Sequence, residues 1–120
     1  MSVGCGERII MEESLMVLIE RWGVQEGQKA SLLDMGEKEW AKVKAGARIS
    51  DNSVAWDRAE KLIRIHKMIL PLVGGDIDLA TDWVGRINMG LGGRSALDIM
   101  LSDGGLGVDM VLAYLNRQFI

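Results

Sequence analysis

The residues best suited to chemistry in this chain lie in the run Gly90-Leu91-Gly92-Gly93-Arg94-Ser95. A glycine-rich loop of this kind invites a nucleotide-binding reading, because bare backbone can approach a phosphate closely. The details refuse it. A P-loop needs Gly-Lys-Ser/Thr after a buried strand, and a dinucleotide fingerprint needs its third glycine where Ser95 stands. What precedes the loop is an amphipathic helical pattern. Arg94 is therefore expected to brace the loop or to face a partner.

The other reactive types are sparse. His66 is the only histidine, with no second His and no Cys at a metal-ligand spacing, so it reads as a packed or hydrogen-bonded residue at the edge of a core. No nucleophile–base pair is legible around it. Cys5 is the only cysteine and has no His or basic neighbour placed to depress its pKa, so it reads as an incidental thiol. One cysteine permits no internal disulfide, which fits a reducing compartment. With no acid–base pair, ligand cluster or activated nucleophile, an enzyme is the least supported class, and no catalytic residue, metal or cofactor is expected.

The glycine loop sits inside a longer stretch, 76–102, on which the rest of the chain is organised. Leu79, Ala80, Trp83, Val84 and Ile87 recur at the spacing of one helical face, predicting a helix that ends near Asn88. Gly90, Gly92 and Gly93 supply a tight turn. Ser95 is placed to cap a short helix over 96–101, with Asp98 three residues on in a capping-box-like arrangement.

A chain of 120 residues with 48% hydrophobic residues and one proline suits one compact, mostly helical domain, or a small domain with an appended subdomain. At this length about two-thirds of the unfolded surface can be buried, enough for a core. The net charge of −3 argues against a generic nucleic-acid binder without excluding a local basic patch. The first residues lack the order of a signal peptide, and no apolar run approaches a membrane span. A cytoplasmic location and no membrane partner are expected.

From the N-terminus, Ile10, Leu15, Leu18, Ile19 and Trp22 predict a first amphipathic helix over 9–22, with Glu12 and Glu13 near its start. A second is predicted over 25–33, burying Ala30, Leu32 and Leu33. Asp34-Met35-Gly36 makes a turn, because Asp and Gly tolerate left-handed backbone. A third helix, about 37–45, turns Trp40 and Val43 inward. Ser50-Asp51-Asn52 offers an N-cap and marks a seam. Beyond it the longest helix is predicted over 52–73, with Ala55, Ala59, Leu62, Ile63, His66, Ile69, Leu70 and Val73 along one side and Trp56 and Ile65 beside them. Arg58, Lys61, Arg64 and Lys67 read as a solvated outer face. Pro71 falls in the last turn and Gly74-Gly75 stops the helix. A closing helix over 108–118 buries Val108, Val111, Leu112 and Leu115, leaving Tyr114, Arg117 and Gln118 toward the rim. Phe119 and Ile120 either fold onto the core or serve as anchors for a partner. No long strand pattern appears, so the fold class is all-α.

Helix, short turn, helix over 25–45 is also the pattern of DNA readers. Lys38, Lys42, Lys44 and Arg48 are the candidate phosphate contacts. Between Gln25 and Arg48 five bases face four acids, and Glu37 and Glu39 sit at the N-terminus of the third helix, the end that meets base edges. DNA binding and a purely packing role both stay open, and a dimer or higher assembly would strengthen weak contacts.

Both halves resemble one family. Ala80-Thr81-Asp82-Trp83-Val84, Arg86-Ile87-Asn88 and Gly93-Arg94-Ser95-Ala96-Leu97-Asp98 look like the toxin-binding domain of the Xre–MbcA–ParS antitoxin family, which usually has proline where Ala96 stands. Trp22-Gly23-Val24, Leu32-Leu33-Asp34-Met35-Gly36 and Trp40-Ala41-Lys42-Val43-Lys44-Ala45-Gly46 resemble that family's Xre-like N-terminal region, with Asp34 for its usual turn glycine and Gly36 for its usual serine. The resemblance implies an Xre-like helix-turn-helix region over 9–50 and a small helical toxin-binding domain over 51–120. It implies an antitoxin that binds a RES-domain, NAD-degrading toxin directly and closes its active site, with autorepression through the N-terminal region. The implied toxin contacts are Arg86, Asn88, Arg94, Ser95, Tyr114, Arg117, Gln118, Phe119 and Ile120. Partners would be the cognate toxin and operator DNA, in a homo-oligomer or a hetero-oligomer with the toxin. A stand-alone helix-turn-helix transcription regulator and a small helical protein-binding adaptor remain as other classes.

Overall fold

The structure, a computed structural model, describes residues 5–49 and 54–118, with side chains described from Glu12 onward. The Cys5 thiol, the Ile10 side chain, the Ser50-Asp51-Asn52 cap and the tail residues Phe119 and Ile120 lie outside that description. Among the described residues the fold is all-α apart from one pair of two-residue strands: α1 (Cys5–Arg21), α2 (Glu26–Leu32), α3 (Glu37–Lys44), α4 (Val54–Leu72), α5 (Ile77–Gly85), β1 (Ile87–Asn88), a 3-10 turn (Met89–Leu91), β2 (Arg94–Ser95) and α6 (Ala96–Arg117). They form two compact units, Met1–Ile63 and Arg64–Ile120.

In the first unit the expected apolar positions are inside. Leu15, Leu18, Ile19, Trp22, Ala30, Leu32, Leu33 and Trp40 are buried, together with Ala55, Trp56, Ala59, Leu62 and Ile63 of α4. Val43 is half-buried. The α2–α3 turn takes the left-handed backbone that its sequence predicts, with Asp34 at φ 55°. Two expectations are corrected. Glu12 is not near a helix start, because α1 begins at Cys5. Its half-buried carboxylate instead accepts from the Ile49 backbone N–H at 3.3 Å. Arg58 is not on a solvated face: it is 7% exposed and donates from Nη1 to the Leu32 carbonyl at 2.9 Å. Leu32 is the last residue of α2, so the arginine satisfies a carbonyl that has no partner within its own helix, at the end where the helix dipole favours a cation.

In the second unit Ile65, Ile69, Ala80, Val84, Leu91, Ala96, Ile99, Met100, Val108, Val111, Leu112 and Leu115 make the core. His66, Leu70 and Val73 are half-buried. Pro71 is accommodated within the last turn of α4. Asp76 caps α5, its carboxylate accepting from the Asp78 and Leu79 amides at 2.9 and 3.2 Å. That helix ends at Gly85, three residues before the expected end, and Leu79 is exposed. Ile87, expected on the helical face, stands in β1 instead.

The two expected C-terminal helices are the two limbs of α6, divided at Gly104, whose φ of 59° and ψ of −133° belong to glycine alone. The break lets the second limb fold against the first. At Gly107 the approach is so close that a Cβ would stand 2.2 Å from the Ile99 carbonyl oxygen. No helix among the described residues is long and apolar enough to cross a membrane.

Candidate functional site

The loop between α5 and α6 is built from its own side chains. Strands β1 and β2 pair antiparallel, Ile87 opposite Ser95 and Asn88 opposite Arg94. Between them Asn88 works twice: its Oδ1 accepts from the Gly90 amide at 2.8 Å and its backbone carbonyl from the Gly93 amide at 3.1 Å. The Gly92 amide reaches the Met89 carbonyl at 3.2 Å, with Gly92 in left-handed backbone at φ 75°. Ser95 Oγ accepts from the Asp98 amide at 3.0 Å, which is the N-cap that its position predicts.

The Asp98 carboxylate takes Arg94 as its partner. Arg94 Nε donates to Asp98 Oδ2 and its Nη1 to Asp103 Oδ2, both at 3.2 Å. Asp98 first and Asp103 second raise the arginine pKa further above its ordinary value. One guanidinium thus ties the loop to both ends of the first limb of α6, Asp103 being the residue before the Gly104 break. Arg94 braces the loop, one of the two roles that the sequence leaves it.

Tyr114 comes from the second limb. Its ring stacks on Trp83 of α5, centroids 6.3 Å apart with 29° between planes. It also covers Gly90, where a Cβ would meet Tyr114 Cε2 at 2.7 Å and its hydroxyl at 2.9 Å. Tyr114 is half-buried, so its rim position is only part of its role. The structure thereby brings Asn88, Arg94, Ser95 and Tyr114 together around one turn. Arg86, 3.9 Å from Asp82 at an exposed ion pair, and the exposed Arg117 lie outside that cluster of internal bonds. The Gln118 amide reaches back to the Tyr114 carbonyl at 3.3 Å.

Residues 70–119 match the antitoxin Xre/MbcA/ParS C-terminal toxin-binding domain. This segment belongs to that family. The match takes in α5, the paired strands, the braced loop and α6, so the family assignment and the loop geometry concern the same residues. No curated protein matches the chain.

The basic candidates of the first unit are differently placed. Lys38 and Lys42 of α3 are exposed. Lys44 is held by Glu26 at 2.5 Å, and Arg48 lies 3.9 Å from Glu12. Glu26 also pairs with Lys29 at 3.1 Å, which in turn reaches Glu20 at 2.5 Å. Its hydrogen bond with Lys44 above all, and then that with Lys29, lowers the Glu26 pKa from 4.5 to about 2.

Sequence reasoning missed two exposed apolar residues on the loop, Ile87 and Met89, which are 74% and 83% exposed. In the sequence Ile87 continues the apolar register of α5, and a two-residue strand is too short to show an alternating pattern of its own.

Proposed function

We propose that this chain is the antitoxin of a type II toxin–antitoxin pair. It binds a RES-domain, NAD-degrading toxin directly and occludes the toxin's active site. The observation that carries the reading is the match of 70–119 to a toxin-binding domain, supported by a loop whose own hydrogen bonds fix its surface before any partner arrives. Inhibition by occlusion asks for shape, an apolar contact and a charged rim, with no catalytic group. In this reading Asn88, Arg94, Ser95 and Tyr114 shape the binding surface. Arg86, Arg117 and Gln118, with Phe119 and Ile120 at the tail, meet the toxin. The complex is a hetero-oligomer in the cytoplasm.

The test is affinity capture of the chain from its native cells with mass spectrometry of the retained proteins. A near-stoichiometric small partner whose expression alone depletes NAD supports the reading. A blank at native expression levels contradicts it.

A second reading concerns the first unit, where Lys38 and Lys42 stand exposed on α3. With Lys44 and Arg48 they would contact operator phosphates and let the antitoxin repress its own operon. Selection from a random DNA pool tests this: a recovered sequence bound with a steep salt dependence supports it, and recovery of no sequence rejects it.

A further inference from the structure

Resting on the toxin-binding reading, we infer that Ile87 and Met89 are the apolar anchors of the interface and that they enter an apolar pocket of the toxin with a carboxylate at its rim. Single exposed apolar residues are ordinary on a protein surface. This pair stands on the closed turn of the segment that matches a toxin-binding domain. Ile87 is fixed in β1 opposite Ser95, and Met89 opens the 3-10 turn that Asn88 and Gly92 close. The polar groups around them are engaged within the chain: Asn88 with the Gly90 and Gly93 amides, Arg94 with Asp98 and Asp103.

An approaching partner therefore meets two apolar side chains on a turn that is already ordered, so less freedom is lost on binding than with a flexible loop. Methionine adapts to an irregular pocket, which suits an anchor at the tip. The charge at the edge specifies the rest of the partner's chemistry. Arg86, next to Ile87, is exposed and only 3.9 Å-paired with the exposed Asp82, so its guanidinium can turn to a carboxylate on the toxin.

The experiment is calorimetric titration of the toxin captured with this chain from its native cells, purified, with full-length chain variants. Ile87→Ser combined with Met89→Ser is expected to weaken binding on the order of a hundredfold, the scale of losing two interface hot spots. Its melting temperature should match that of the unaltered chain, since both side chains are largely outside the core. Ile87→Val with Met89→Leu should retain binding, as should Val17→Ser, which alters an exposed apolar residue of the first unit. Undiminished binding by the double serine variant overturns the anchor assignment alone. Failure of the unaltered chain to bind the toxin overturns the toxin reading and the assignment with it.

Discussion

The Tyr114 ring lies on Gly90 so closely that a Cβ at position 90 would stand 2.7 Å from Cε2. The same ring stacks on Trp83, 6.3 Å between centroids, so it cannot retreat without giving up that packing. A bare backbone at Gly90 is thus a condition for bringing the second limb of α6 against the loop.

Gly90→Ala is accordingly expected to lower stability by about 1–3 kcal/mol, the usual cost of forcing a side chain into a packed site. Tyr114→Ala removes the obstacle, so adding Gly90→Ala to it should cost much less than Gly90→Ala alone. Denaturant unfolding of the four variants in a double-mutant cycle checks this. Additive effects would contradict it.

Gly107 poses a harder constraint, because the atoms facing it are backbone. With the Ile99 carbonyl oxygen 2.2 Å from the added Cβ, Gly107→Ala must push the two limbs of α6 apart. A loss of about 2–4 kcal/mol is expected, in the upper range for overpacking, measurable by thermal melting.

Arg58→Ala should destabilise the first unit by about 2–4 kcal/mol, since it strips the packed stem and leaves the buried Leu32 carbonyl without its donor. Chemical denaturation provides the measurement. A loss below about 0.5 kcal/mol, typical of a surface substitution, would contradict the buried role.

Glu26 gives the chain a pH signature. Its folded pKa of about 2 lies below the ordinary 4.5, so its pairing with Lys44 and Lys29 stabilises the fold fully above pH 4.5. That contribution is lost as pH falls from about 4.5 to about 2. The stability difference between the unaltered chain and Glu26→Gln should therefore shrink across that window, and added salt should shrink it at neutral pH. A difference that stays constant over the window would count against the pairing.

What the sequence discloses follows the range of the interactions. The Ser95 cap, the left-handed turn at Asp34 and the stops at Gly74 and Gly75 depend on residues within a few positions, and all are legible there. The buried faces of α1, α4 and the second limb of α6 follow from apolar spacing. Arg58 was hidden because its partner is a backbone carbonyl 26 positions away, which leaves no mark in residue type. The early start of α1 is not legible because its first turn, Cys5-Gly6-Glu7-Arg8, holds a glycine and no apolar periodicity. The paired strands contain two residues each, too few for an alternating pattern, so in the sequence Ile87 reads as a continuation of the helix before it. In the site, the glycines and Ser95 announce the loop, whereas the closure by Tyr114 arises only when α6 folds back at Gly104.

The most direct test of the antitoxin account is the NAD-degrading activity of the proposed RES-domain partner, purified and titrated with the purified chain. The account predicts that activity falls steadily and vanishes near a stoichiometric ratio. Full activity at a saturating excess of folded chain would contradict it.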